Sequence, residues 1–120
     1  MEQPVKIRIV AGDKMLVAEL EDSATGRDFA ALLPLDLTLE DYNRTEKISD
    51  LPGRLSIGGA PDGITPAAGD LAYYAPWGNL AIFYRSFDYS RGLLRMGRID
   101  GGLEELSEIE GRIRIELVRD

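Results

Sequence analysis

The stretch Asp41-Tyr42-Asn43-Arg44-Thr45-Glu46-Lys47 gathers a phenol, carboxylates and two cations into a few residues, the sort of charged loop that fixes a polar ligand. Tyr42 offers a hydroxyl for acid or base work if it is buried. Glu46 has two uses: holding a ligand's donor, or tying the loop down by accepting backbone amide hydrogens, which is the more economical one. Further along, Arg91, Arg95 and Arg98 present guanidinium groups suited to a carboxylate or phosphate. With twenty-one Asp and Glu in the chain, pairing with its own acids is the simpler expectation for them. Trp77, at the tip of a Pro-Trp-Gly turn, either folds back onto the body of the protein, which is favoured, or belongs to a recognition surface. Tyr73 and Tyr74 point to opposite faces, so only one of them can line a given pocket, and Phe83 is first a core residue and second a ligand contact.

Much chemistry is excluded. The chain has no His and no Cys, which removes imidazole bases, Ser-His and Cys-His pairs, thiolate nucleophiles and zinc-thiolate sites. Asp36, Glu40 and Asp41 alternate with leucines as a solvated strand face does, and no calcium-loop spacing is present, so no metal and no cofactor are expected. The glycines of Gly58-Gly59-Ala60-Pro61-Asp62-Gly63 lack the preceding strand, following helix and lysine of a phosphate loop. A net charge of −7 repels a phosphate backbone and argues against nucleic acid. No apolar run approaches the ~20 residues that cross a bilayer, and the first ten residues are charged where a signal peptide would be apolar. A soluble cytoplasmic protein, with no membrane partner, is the resulting expectation; the oligomeric state is left open.

The elements that position these residues are mostly strands. Val5 to Val10 and Met15 to Leu20 alternate apolar and polar residues around a turn at Ala11 to Lys14, which predicts a hairpin. Ser23 or Thr25 caps a short helix carrying Phe29, Leu32 and Leu33, and Pro34 stops it. Leu35 to Glu40 is a strand with one wet face, and Asp41 to Gly53 is predicted to be a surface loop anchored by Tyr42, Ile48 and Leu51. Arg54 to Ile57 is expected as a short strand, followed by a long excursion through Gly58 to Asp70. Leu71 to Ala75 and Asn79 to Tyr84 form the strongest hairpin, within a region holding seven of the nine aromatic residues. Leu94 to Ile99, a short helix from Leu103 and an amphipathic strand through Ile113, Ile115 and Leu117 finish the chain. With 120 residues, 44% of them apolar, this amounts to one domain over 1–120, all-β and mainly antiparallel: about eight strands and two short helices, closed into a barrel to leave no edges.

The succession SATGRDFAALLPLDLTLEDYN, EKISDLP, GDLAYYAPWGNLAIFY and GLLRMGRI resembles the small bacterial and archaeal cyclophilin-like barrel proteins, a family distinct from the prolyl-isomerase cyclophilins, along nearly the whole chain. The resemblance implies an eight-stranded closed barrel capped by two helices and says little about activity. Cyclophilins proper isomerise X-Pro bonds with an arginine followed closely by Phe, Met and Gln, together with a Trp and a His. Arg54 is the one candidate for that arginine, and LSIGGAPDG after it lacks the rest. The favoured expectation is a module that binds a small molecule or extended peptide between the barrel wall, the 58 to 69 loop and the Trp77 hairpin, with Tyr42, Glu46, Tyr74, Trp77, Phe83 and Arg98 as ligand contacts. The alternative is an isomerase-like enzyme working through Arg54.

Overall fold

A computed structural model of the chain describes residues 5–118. Val5–Ala11 (β1) and Lys14–Leu20 (β2) form the expected hairpin, and Ile7, Ile9, Leu16, Ala18 and Leu20 enter the core because alternate residues of a strand share a face. Ser23 caps Ala24–Leu32 (α1) by accepting the Gly26 amide at 3.0 Å, and the helix buries Phe29. Leu35–Tyr42 (β3) sends Leu35, Leu37 and Leu39 inward and Asp36, Thr38 and Glu40 outward. Glu46–Asp50 (β4), Asp70–Tyr74 (β6), Asn79–Phe83 (β7), Leu93–Ile99 (β9) and Gly111–Leu117 (β10) complete a closed antiparallel barrel in the order β1-β10-β3-β4-β7-β6-β9-β2. Closure leaves no open edge among these eight strands. Gly63–Ile64 (β5) and Ser90–Arg91 (β8) pair separately, and Leu103–Glu108 (α2), which links β9 to β10 in the chain, buries Leu106 and approaches β4.

Eight barrel strands are present as expected, but one of them is not the segment anticipated. Asp41 to Gly53 is not a loop: β3 continues to Tyr42, and β4 occupies Glu46–Asp50 between β3 and β7. Asn43 and Arg44 both adopt positive φ, 55° and 53°, the backbone that reverses a tight hairpin, without the glycine that usually announces it. The second disguise is Lys47, which lies opposite Asp41 and Ile82 and is turned to the inner side, only 1% exposed. Its ammonium lies 3.3 Å from Asp41 Oδ1 and 5.6 Å from the centre of the Tyr84 ring.

Arg54 to Ile57 is not a strand. Its backbone polar groups go to side chains instead of a ladder: Ser56 N–H donates to Asp28 Oδ2 at 2.7 Å, Thr25 Oγ1 donates to Ser56 O at 2.6 Å, and Leu55 N–H donates to the Tyr73 hydroxyl at 3.2 Å. The Thr25 and Asp28 side chains thus clip this segment to α1, while Ser23 does the capping. Buried amides need a partner, and side chains satisfy them as well as a strand does.

The β4-β7-β6-β9 side of the barrel carries buried apolar residues on both faces. Leu71, Tyr73, Leu80, Ile82, Leu94 and Met96 belong to the central core, whereas Ala72, Ala81, Phe83 and Leu93 form a second buried cluster on the outer face, with Ile48, Ile64 and Tyr74 at its margin. Ile64 comes from the β5–β8 ribbon, so the long excursion after Gly58 contributes cover to this wall.

Candidate functional site

The outer cluster continues into a cleft of about 190 Å³. Its construction follows from register, since residues opposite each other on neighbouring strands share a face. Tyr42 lies opposite Glu46, and Glu46 lies opposite Phe83, which sets one row across β3, β4 and β7. Tyr74 lies opposite both Asn79 and Leu93, which sets a second row across β7, β6 and β9. Between the rows run Ile48, Ala81 and Ala72. The two alanines are short, so larger neighbours can settle over the wall and leave a hollow.

The hairpin tip supplies the remaining side of the cleft. Trp77 and Gly78 amides both donate to Tyr74 O, at 3.2 and 2.8 Å, and Gly78 takes φ +67° so that the turn can close. Gly92 holds this tip from outside: its carbonyl accepts the Ala75 amide at 2.9 Å, its φ is +86°, and a side chain there would lie 2.8 Å from the Pro76 ring. Trp77 consequently meets Tyr42 and Tyr74 edge-on, with ring centres 5.8 and 5.2 Å apart and planes at 86° and 82°. It remains 56% exposed, so the expectation that it packs away against the barrel is replaced by a ring standing over the cleft with two aromatic neighbours.

Two polar groups distinguish the cleft from an apolar dent. Asn79 is 3% exposed, and its side-chain oxygen has no hydrogen-bond partner among the described residues. A buried acceptor left unpaired costs about 1–3 kcal/mol. Burial, followed by the negative charge of nearby Asp41, pushes the Glu46 carboxyl up to about 7. No ion-pair partner approaches Glu46, and no backbone amide donates to its carboxylate, among the described residues, so it does not tie down a loop. Asp41 itself has its partners on the inner side. Burial pushes its carboxyl up, but hydrogen bonds from the Tyr84 hydroxyl and the Lys47 ammonium outweigh that and leave it below the usual range. Partial burial and the hydrogen bond to Asp41 push the Tyr84 phenol up to about 12.

Tyr42, Glu46, Tyr74, Trp77 and Phe83 therefore line one cleft. Arg98 does not. It donates to Ala68 O at 3.3 Å, approaches Asp70 Oδ1 at 3.9 Å, and lines a broader depression together with Arg27 and Arg95. Those other two guanidinium groups pair with Asp22 and Glu21, as an excess of acids leads one to expect. Arg54 donates to Ala75 O at 3.1 Å and is not among the residues lining the aromatic cleft. The 58 to 69 loop does not line it either; Phe87 and Ser90, from the segment after β7, take that place. Sequence reasoning missed Asn79, although an asparagine opening the otherwise apolar strand Asn79-Leu80-Ala81-Ile82-Phe83 was a signal, because Asn is depleted in strands.

Among the described residues no helix is long and apolar enough to cross a membrane. No curated protein matches the sequence. The fold is similar to the solution structure of a hypothetical protein from Archaeoglobus fulgidus, with a TM-score of 0.65 at 18% identity over 96% of this chain and 95% of that one. Residues 9–118 match the sequence pattern of the cyclophilin-like family. An antiparallel barrel of eight strands and a family match over almost the whole chain agree, and the chain belongs to the cyclophilin-like family.

Proposed function

We propose that this protein is a binding module that takes a small organic group into the outer-wall cleft formed by Tyr42, Glu46, Tyr74, Trp77, Asn79 and Phe83. The observation that carries this reading is the buried, unpaired side-chain oxygen of Asn79, a residue lining a cleft walled by aromatic rings. An orphaned acceptor in a half-open apolar hollow favours a ligand that brings a donor of its own. At about 190 Å³ the cleft suits a ring or a compact headgroup, being smaller than the ~300 Å³ at which pockets for drug-sized molecules begin. A bound peptide would present one such group there and lie along the surface for the rest of its length.

The isomerase alternative draws less support. Twisting a prolyl amide is helped by a donor aimed at the peptide, and among the described residues no Lys or Arg, Arg54 included, lines this cleft. The test is a fragment screen read by amide chemical shifts of isotope-labelled protein. Fragments that bind should move the Asn79 side-chain amide, the Trp77 indole and the Phe83 amide together. Shifts confined to the arginine-lined depression, or none from any fragment, would overturn the proposal.

A further inference from the structure

The charge in the cleft has one sign. Glu46 is the only acidic or basic residue lining it, and no Lys or Arg approaches the Glu46 carboxylate within ion-pair distance among the described residues. The nearest cation along the strand, Lys47, is turned to the other face and engaged by Asp41. Around the carboxylate stand aromatic rings: Tyr42, Tyr74, Trp77, Phe83 and Phe87. The Trp77 plane is nearly perpendicular to both Tyr42 and Tyr74, the disposition of adjoining walls of a box. Aromatic faces carry negative potential and attract cations, organic ammonium groups above all, and the half-buried Glu46, ionised above about pH 7, adds the counter-charge. Asn79 Oδ1 is a further acceptor in the same hollow, and acceptors too select positive or donating groups. A net charge of −7 over the whole chain draws cations toward the surface from a distance.

We propose that the group this cleft takes is a small organic ammonium ion, its charged nitrogen placed among the aromatic rings and against Glu46, and its donor hydrogen, where it has one, on Asn79 Oδ1. This rests on the reading of the cleft as a binding site and adds the chemical class of the ligand. Anions are rejected by Glu46 and by the ring faces. Uncharged molecules of equal shape gain the apolar contacts but not the electrostatic ones. Compactness follows from the size of the cleft, which has room for about six groups the size of a water molecule.

The probe pair is choline and 3,3-dimethylbutan-1-ol, which share shape and hydroxyl and differ in charge. Trp77, the one tryptophan of the chain, reports binding by its emission, and the Asn79 side-chain amide resonance reports the place. Choline should bind at least tenfold more tightly than the alcohol, with the Asn79 signal shifted. Glu46→Gln should shrink that preference to the part the rings supply, without removing alcohol binding, and its unchanged amide spectrum elsewhere shows that the barrel is intact. Trp77→Leu, at an exposed position, should weaken choline at least tenfold when followed by the Asn79 signal. Equal affinity of the two probes at the cleft overturns the choice of an ammonium ligand and leaves the binding role standing, as does failure of choline where neutral fragments still bind. Failure of every fragment at the cleft overturns both.

Discussion

The β1-β10-β3 wall and the β4-β7-β6-β9 wall are made by the same alternation, yet their outer surfaces have opposite characters. On the first, outward residues pair as charges: Arg8 with Glu116 at 2.6 Å, Arg114 with Asp36 at 3.1 Å and with Glu116 at 3.2 Å. On the second, the centre of the outer face is Ala72, Ala81, Phe83 and Leu93, all buried, with aromatic rings and the unpaired Glu46 at one margin, and with Arg95 and Arg98 paired to Glu21 and Asp70 at the other. Solvent-facing ion pairs contribute little stability and mainly keep a surface wet. An outward apolar row covered by its own loops and ending in a cleft is what a recognition surface needs. The difference teaches that alternation alone does not set a wall's outer character: one side ends in charge pairs, and the other buries an outward apolar row beside the cleft proposed as the binding site.

The largest effect is expected where the outer wall behaves as core. Phe83→Ala should cost about 3–5 kcal/mol in denaturant unfolding, as truncation of a buried aromatic does, even though Phe83 faces away from the barrel axis. A loss below about 1 kcal/mol would reduce the outer cluster to a surface patch. Next in size is Asp41→Ala, which strands the fully buried Lys47 ammonium and should cost about 3 kcal/mol. Combining it with Lys47→Met should recover most of the loss, and a double variant no more stable than the single one would contradict the pairing.

Asn79→Leu goes the other way. Removing an unpaired buried acceptor should stabilise the protein by about 1 kcal/mol in thermal unfolding, while abolishing ligand binding if the cleft acts as proposed. A destabilised variant would mean that the amide has a structural task.

Glu46 predicts a pH effect of known sign. Its folded value, about 7, lies above the ordinary 4.5, so the folded state holds this proton more tightly than the unfolded chain. Stability from this group is therefore full below about pH 4.5, declines as pH rises to 7, and stays lost above it. Asp41, lowered, acts in the opposite sense: its contribution is present above its ordinary value of 3.8 and disappears as the solution is acidified past its folded value. Denaturation midpoints between pH 4.5 and 7 should fall less in Glu46→Gln than in the parent protein, and identical slopes would contradict the burial of Glu46. The smallest effect belongs to the other wall. Arg114→Ala should leave the thermal midpoint where it is, because this side chain and its partners stand in solvent.

Alternation made β1, β2, β3 and β10 legible in the sequence, because one face of each is wet and the period of two is visible. The same reasoning failed at β4 for a physical cause: its inward Lys47 is satisfied by Asp41 of β3 and by Tyr84 just beyond β7, and no local pattern reveals such partners. Arg54 to Ile57 misled in the opposite direction, its strand-like composition being used by Thr25, Asp28 and Tyr73 in place of a ladder. Within the cleft, the aromatic residues were found because Trp77 and its hairpin concentrate them. Arg98 was included on nearness in sequence alone; it shares the outer face with Tyr74 but lies opposite Asp70, at the other end of β6. Asn79 escaped because an unpaired acceptor is defined by what surrounds it in three dimensions.

The most direct measurement is a crystal of the protein soaked in several small organic solvents in turn, with the positions of the bound molecules superimposed. The outer-wall cleft should collect them, with a donor hydrogen on Asn79 Oδ1 and carbon atoms against Trp77 and Phe83. Solvent molecules gathered instead in the depression lined by Arg27, Arg95 and Arg98, with the aromatic cleft left to water, would contradict the assignment of recognition to the β4-β7-β6-β9 wall.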